Sequence, residues 1–362
     1  GGVDLAPEVY VGRIPVYDAD YTTLDSILQK IIDYESEPAG SISWRSNVLL
    51  PMSFLGAGFD GAMLAEQMKD DYLDDAGLTS WRMYQQGNGA CSLDSSYTSE
   101  EELRGGTVVR DRWVADDYGI VCWWAHGSLT HTIVGYDVCS DGTLMNSSYT
   151  SSLDDDHPAF TYQSSCTNGY PEWNDNLQYA ILKNGGIATV GATRVSWRLS
   201  SMEYGDFDGS GTDAGIGYEY VDRLVQRLPC GDSLFLAKQS GSIPHPAILM
   251  NLYVFNLYGT PSISLEPLTP AVTSVSPNQG AQGNTLDVTI TGTFLTGATE
   301  VSFGSGITIN SFTVDNSTQI TASISIDSLA TIGARDVSVT TPIGTGTLTH
   351  GFTVIPLAIT SV

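Results

Sequence analysis

Two stretches carry residues whose types could break and remake acyl bonds. In AFTYQSSCTNGYPEW an apolar run ends at Ser165-Cys166 and passes into a polar turn that leads to a helical pattern. A helix N-terminus near a thiol favours the thiolate, which is the nucleophilic form. In GIVCWWAHGSLTH an apolar strand runs straight into His126 and Gly127, so an imidazole stands at a strand tip beside an exposed backbone amide. Taken singly, each has an ordinary explanation: an inert buried cysteine and a structural loop histidine. Taken together they are a nucleophile and a general base at the tips of two strands, able to flank one scissile carbonyl. His131, beyond the glycine and off the strand tip, is the rival base.

Such a pair needs a scaffold that brings strand ends together. Short apolar or mixed runs at 48–55, 120–125, 159–165 and 186–191 predict buried strands. Between them, Thr22 and Asp25 resemble a capping-box start, and Leu24, Ile27, Leu28, Ile31 and Ile32 then recur on one helical face. Asp60 could cap a helix carrying Met63, Leu64 and Met68, and residues 174–183 predict a further helix closed by Gly185. Strand, helix, strand repeated in this way predicts an α/β fold with a mostly parallel sheet covered on both faces. Reactive groups gather at the carboxyl edge of such a sheet.

Composition narrows the function. Forty-one acidic against fifteen basic residues give a formal charge of −26, which repels nucleic-acid phosphates and argues against a nucleic-acid partner. No apolar run approaches the roughly 18 residues of a membrane span. Residues 1–15 lack the basic start and apolar middle of a signal peptide, so the sequence reads as a mature or trimmed segment. The five cysteines show no CxxC pair and no zinc-ligand spacing, and spacing alone does not pair them.

The pieces DLAPEVYVGRIPV, WWAHGS, QSSCTNGYPE, GGIATVGATRVSW and FNLYGTPSISL resemble, in order and spacing, the gingipain family of cysteine peptidases, which has a caspase-like fold in clan CD. The likeness spans roughly residues 4–266. It implies Cys166 as nucleophile, His126 as base and later as acid to the leaving amine, and an oxyanion hole from the amides of Cys166 and Gly127. It also implies that Asp60, in FLGAGFDGAM, and Trp197, in ATRVSW, line a pocket for an arginine or lysine side chain; the residues alone equally allow Asp60 as a helix cap and Trp197 as a core side chain. Two departures stand out. Met52, Ser53 and Phe54 lie where arginine-specific members carry an acid that assists the histidine, leaving the third catalytic member unassigned. Thr260 stands in LYGTPS where relatives usually carry Asp. VYVGRIPV reads as one strand of a sheet whose partners lie upstream.

Near residues 267–270 the composition changes to Thr, Ser, Val, Ile and Gly in alternating stretches, with no lysine and Arg335 as the sole arginine. Short period-two strands at 286–290, 301–303, 320–326, 336–340 and 351–354 predict a small antiparallel sandwich. It resembles the TIG (IPT) type of immunoglobulin-like module. PAVTSV at 270–275 returns as PLAITSV at 356–362, suggesting the start of another copy. The expected domains are thus a peptidase over 1–268, a sandwich over 269–356 and a linker or further repeat over 357–362. EYGDFDGSGTDAGIGYEY offers Asp206, Asp208, Ser210 and Thr212 at alternate positions, the first half of a calcium loop, but Gly217 stands where the closing Glu belongs. The chemistry needs no cofactor, and a structural calcium is the one ion suggested.

The expectation is therefore a secreted or cell-surface cysteine endopeptidase acting on protein or peptide substrates. An inactive adhesin-like surface protein and a peptidase that cuts only its own precursor are the alternatives.

Overall fold

The computed structural model describes residues 10–37, 41–56, 59–87, 95–242, 245–265, 270–341 and 344–357. The chain forms two compact units, Gly1–Leu73 with Leu78–Glu266 and Asp74–Gly77 with Pro267–Val362. The first begins with helix α1 (Tyr21–Ser36), strand β1 (Asn47–Met52) and helix α2 (Ala62–Met68). Strands β2 (Thr79–Gln85) and β3 (Glu101–Leu103) precede helix α3 (Val108–Ala115) and strand β4 (Ile120–Trp124). Short strands β5 (His126–Gly127), β6 (His131–Val134) and β7 (Gly142–Asn146) form a small antiparallel sheet. Then come β8 (Ala159–Ser164), α4 (Leu177–Lys183) and β9 (Gly186–Ala192). Helices α5 (Asp213–Val225), α6 (Cys230–Ser240) and α7 (Pro246–Val254) lead to β10 (Phe255–Tyr258).

The main sheet has the order β10-β9-β8-β4-β1-β2-β3 and is parallel except at β10. Its central strands are buried on both faces, which is why they read as unbroken apolar runs rather than as alternation. Trp123 and Trp124, adjacent in β4, point to opposite faces. Trp123 packs with Val109 and Trp113 of α3 and with Leu177 and Ile181 of α4. On the other face Trp124 meets Phe207 edge-on at 5.5 Å, and Tyr162 stacks on Phe255 at 5.2 Å. The chain moves outward from β1 to β2 and β3, then returns to lay β4 on the other side of β1. That reversal opens a crevice at the carboxyl ends of β1 and β4.

Several local expectations shift for identifiable reasons. Helix α1 starts earlier than the Thr22/Asp25 reading, because the Asp20 carboxylate takes the Thr23 N–H at 3.1 Å and the Thr23 hydroxyl at 2.6 Å. Its buried face is Ile27, Ile31 and Tyr34, while Leu28 and Ile32 are exposed. Buried Lys30 on the same helix donates to Asp155 Oδ1 at 2.6 Å and to Leu182 O at 2.9 Å. VYVGRIPV has a partner downstream: Arg13 N donates to Leu257 O at 3.0 Å and Gly259 N to Arg13 O at 2.9 Å, making a parallel bridge to β10. Residue 9 is outside the described residues.

The second unit holds β11 (Ala271–Ser276), β12 (Gln279–Ala281), β13 (Thr285–Thr293) and β14 (Glu300–Ser302). It continues with β15 (Ile307–Asn316), β16 (Gln319–Ile326), β17 (Gly333–Thr341) and β18 (Gly344–Ile355). Two sheets, β11-β13-β16-β15 and β12-β18-β17-β14, share one core that includes Ile290, Ile324, Val339 and Phe352. The expectation of a wholly antiparallel sandwich is corrected at one place, since β12 pairs parallel with β18. Strand β15 escaped the sequence reading because none of its side chains is fully buried. PAVTSV lies at β11; most of its second copy, 358–362, is outside the described residues.

Helix α4 starts at Leu177 rather than at 174 because buried Asn176 caps it, accepting from Tyr179 N at 2.9 Å while donating to Trp173 O at 2.7 Å. Asn174 is exposed and donates only to Asp18 Oδ2 at 3.1 Å. Asn176→Ala is therefore expected to lower unfolding free energy by about 1–2 kcal/mol in urea titration, with Asn174→Ala within about 0.5 kcal/mol of the parent. Equal effects would contradict this cap assignment.

Candidate active site

β4 and β8 are neighbouring parallel strands in register Trp124↔Ser164, and Ala125 N donates to Ser164 O at 3.1 Å. The residues that follow them, His126 and Cys166, thus emerge side by side at the carboxyl edge. The approach is so close at Gly127 that an added Cβ would lie 2.5 Å from Cys166 O and 2.8 Å from Ser165 Cβ. Only glycine fits there. After Cys166 the chain turns sharply, with Thr167 at φ 57° in the left-handed region, and Thr167 N donates to Arg194 O at 3.1 Å.

Asn168, fully buried, fastens this turn to the β5–β6 hairpin. Its Nδ2 donates to Ser128 O at 2.6 Å, and its Oδ1 accepts from the Ser165 hydroxyl. Sequence reading passed over Asn168. The only available signal was the polar Thr-Asn-Gly turn, which says nothing about a partner forty positions upstream.

His126 Nε2 lies 3.3 Å from Leu55 O, just past β1. A carbonyl only accepts, so this contact puts the ring proton on Nε2 and leaves the Nδ1 lone pair as the proton acceptor. Burial lowers the imidazole's pKa; the bond to Leu55 O opposes the shift and the positive charge of Arg198 adds to it. Arg198 Nη2 shares Leu55 O at 3.2 Å, and its guanidinium lies over the Phe59 ring at 3.6 Å. The stretch searched for an assisting acid supplies none: Ser53 is buried, its hydroxyl donating to Phe54 O at 3.2 Å, and Phe54 N donates to Gln85 Oε1 at 3.0 Å. A main-chain oxygen occupies the place beside the histidine instead. His131 sits on β6, opposite Asn146, with Nδ1 3.4 Å from the hydroxyl of its neighbour Thr130.

Cys166 Sγ lies 3.8 Å from Ser196 O and 3.7 Å from Ser196 Oγ. The Ser196 hydroxyl in turn reaches Asp213 Oδ2 at 3.2 Å. Burial pushes the Asp213 carboxyl up to about 6, against the pull of the Ala214 N–H, Ser196 and Arg198. Neither Ser196 nor Asp213 was singled out from sequence. Cys122 and Cys230 are free but buried, and desolvation drives both thiols well above their ordinary range. Cys139 is disulfide-bonded; Cys91 is outside the described residues.

Asp60 acts at a helix start, accepting from Ala62 N at 3.0 Å, and its other oxygen accepts from Ser95 Oγ at 2.6 Å. Trp197 is 45% exposed, which sets aside a core role. Its backbone is gripped on both sides by Asn251, at 2.9 Å to N and 2.7 Å to O. Thr260 contributes its carbonyl to Cys230 Sγ at 3.1 Å and its hydroxyl to Ser262 Oγ at 3.1 Å.

In the loop read as half a calcium site, the side chains make hydrogen bonds of their own. Thr212 Oγ1 caps α5 by accepting from Gly215 N at 2.9 Å and also meets Ser210 Oγ at 2.9 Å. Asp206 Oδ2 accepts from Glu203 N at 2.9 Å. The hydrogen bond between Asp208 and Glu219 raises the Asp208 pKa. No step below passes through an ion at these four side chains. Among the described residues, the His, Cys, Asp and Glu side chains that do converge are Asp117, Asp154 and His157, at the surface.

The profile of Peptidase family C25 matches residues 1–266. No curated protein matches the chain. Among solved structures, the Arg-specific cysteine proteinase gingipain R (RGPB) is similar at 15% identity and TM-score 0.56, covering 99% of this chain and 77% of its own. A structure described only as a protease follows at 14% identity and TM-score 0.49, covering 95% and 75%. A family match over most of the sequence, on a sheet that gingipain R shares, settles the identity: the chain belongs to peptidase family C25 and is a cysteine endopeptidase.

Proposed function

We propose that the chain hydrolyses peptide bonds with Cys166 as nucleophile and His126 as general base. The observation that carries this is the contact of Gly127 with the Cys166 backbone at adjoining strand ends, beside a histidine whose Nδ1 is left free to accept. His126 takes the thiol proton, and the thiolate adds to the substrate carbonyl carbon. The oxygen that becomes negative is met by the amides of Cys166 and Gly127, whose positions do not have to reorganise. The imidazolium then gives its proton to the departing amine, leaving a thioester. Water, deprotonated by His126, adds to that thioester; the thiol leaves with the returned proton and the acid product is released. Leu55 O serves as third member, orienting the ring through Nε2 without adding a negative charge.

Cleavage after Arg or Lys is the substrate reading the pocket residues support. Both donors to Asp60 are neutral groups, so its charge is left for a cation. The exposed face of Trp197 suits an aliphatic stem or cationic head. The second unit, two four-stranded sheets around one core, is proposed as a TIG-type immunoglobulin-like module that spaces or positions the peptidase, with further modules following it. Secretion or surface display agrees with a disulfide at Cys139, a bond that persists in oxidising compartments.

Three outcomes test these assignments. A fluorogenic peptide library should show hydrolysis that vanishes in Cys166→Ala, with an Arg or Lys preference that Asp60→Ala removes. Hydrolysis without Cys166 would overturn the nucleophile, and an unchanged preference in Asp60→Ala would overturn the pocket. Because the base must be neutral and its pKa is lowered, the acid limb of kcat/KM should fall below the ordinary imidazole value of 6.5. A limb at or above that value would contradict His126 as the base. Gly127→Ala forces a methyl group against Cys166 O, so kcat should drop by about 100-fold and the thermal transition should fall as well.

A further inference from the structure

Ser196 and Asp213 take no part in the steps above, yet they stand directly behind the sulfur. Both are buried, Ser196 on the loop after β9 and Asp213 at the first turn of α5. One Asp213 oxygen, Oδ1, accepts from Ala214 N at 2.8 Å, and the other, Oδ2, faces Ser196 Oγ at 3.2 Å. A carboxylate only accepts, so it draws the single hydroxyl proton of Ser196 to itself. What Ser196 then turns toward Cys166 Sγ is a pair of acceptors, its hydroxyl lone pair at 3.7 Å and its carbonyl at 3.8 Å. A thiol satisfies them through S–H, whereas a thiolate would face two lone pairs with a carboxylate behind them.

We propose that Asp213 is a positioning residue for the nucleophile: by fixing the direction of the Ser196 hydroxyl, it holds Cys166 as an aimed thiol in the resting site. The proposal rests on Cys166 being the nucleophile. It makes the resting enzyme sluggish toward alkylating and oxidising agents, because the thiolate is the form they attack. Proton removal then depends on His126 rather than on a standing thiolate.

Asp213→Asn should reverse the hydroxyl. Ala214 N–H is fixed by the backbone and still needs an oxygen, so the amide oxygen takes the Oδ1 place and the amide N–H faces Ser196 Oγ. Ser196 then accepts from the new amide and its own proton turns to sulfur, where it stabilises the thiolate. The experiment is the pH dependence of iodoacetamide alkylation at Cys166, followed by peptide mass spectrometry. It uses the full chain, Asp213→Asn, Ser196→Ala and the double variant.

The midpoint should fall by about one unit in Asp213→Asn, making alkylation at neutral pH about tenfold faster. It should fall less in Ser196→Ala, which loses one acceptor of the S–H. Adding Asp213→Asn to Ser196→Ala should bring no further fall. An unchanged midpoint in folded Asp213→Asn, or an equal fall in the Ser196→Ala background, overturns the proposal. Should Asp213→Asn fail to fold, Ser196→Ala decides, and a midpoint at or above the parent's overturns it. Alkylation needs no peptide turnover, so an inert peptidase and a failed Asp213 assignment are separate results.

Discussion

The pairing of β4 with β8 is the constraint on which the site depends. Parallel neighbours lie about 4.8 Å apart and end at the same edge, so residues that follow them in sequence are delivered together without any loop having to search for the other. The price is crowding, and it is met locally: position 127 has no side chain to collide with the Cys166 carbonyl, and Thr167 takes a left-handed conformation to turn the chain away. Asn168 then joins the turn to the hairpin that carries His126. A rigid element supports each of the two groups proposed to react, which is what a reaction between two side chains and one substrate carbonyl requires.

The electrostatics of the site are those of neutral partners. A carboxylate beside His126 would raise its basicity; Leu55 O meets the ring with a dipole instead, and burial together with Arg198 lowers the imidazole's pKa. On the other side the sulfur meets oxygens of Ser196 rather than a cation. Such an arrangement avoids holding an ion pair in a half-buried crevice, where desolvation can exceed the Coulombic gain. In the proposed reaction, charge develops only as bonds change, close to amides already in place.

Much of the fold was legible because burial on both faces writes itself into a strand as a continuous apolar run. The runs ending near Met52, Trp124, Ser164 and Ala192 became β1, β4, β8 and β9 with ends shifted by only a few residues. Helix starts were less legible, since Asp20 and Asn176 act through backbone N–H groups a turn later and compete with equally plausible neighbours such as Thr22 and Asn174. In the second unit, the parallel pairing of β12 and the half-exposed β15 left no clear periodic mark. The residues proposed to react stood out as Cys and His at strand ends, and the family resemblance suggested their roles.

By itself the amino-acid order determined which segments are strands, where composition changes, and which side chains can act as nucleophile and base. Those are properties of side-chain type and local period. Tertiary structure decided what completes the site: the Leu55 carbonyl on His126, the Asn168 tie, and the Ser196–Asp213 pair behind the sulfur. Every residue has a carbonyl, so the contact of one with His126 leaves no trace in sequence. Likewise Ser196 meets Cys166, and Asp213 meets Ser196, only because β9 lies beside β8 and α5 packs across it, and strand order is a property of the whole sheet rather than of any segment in it.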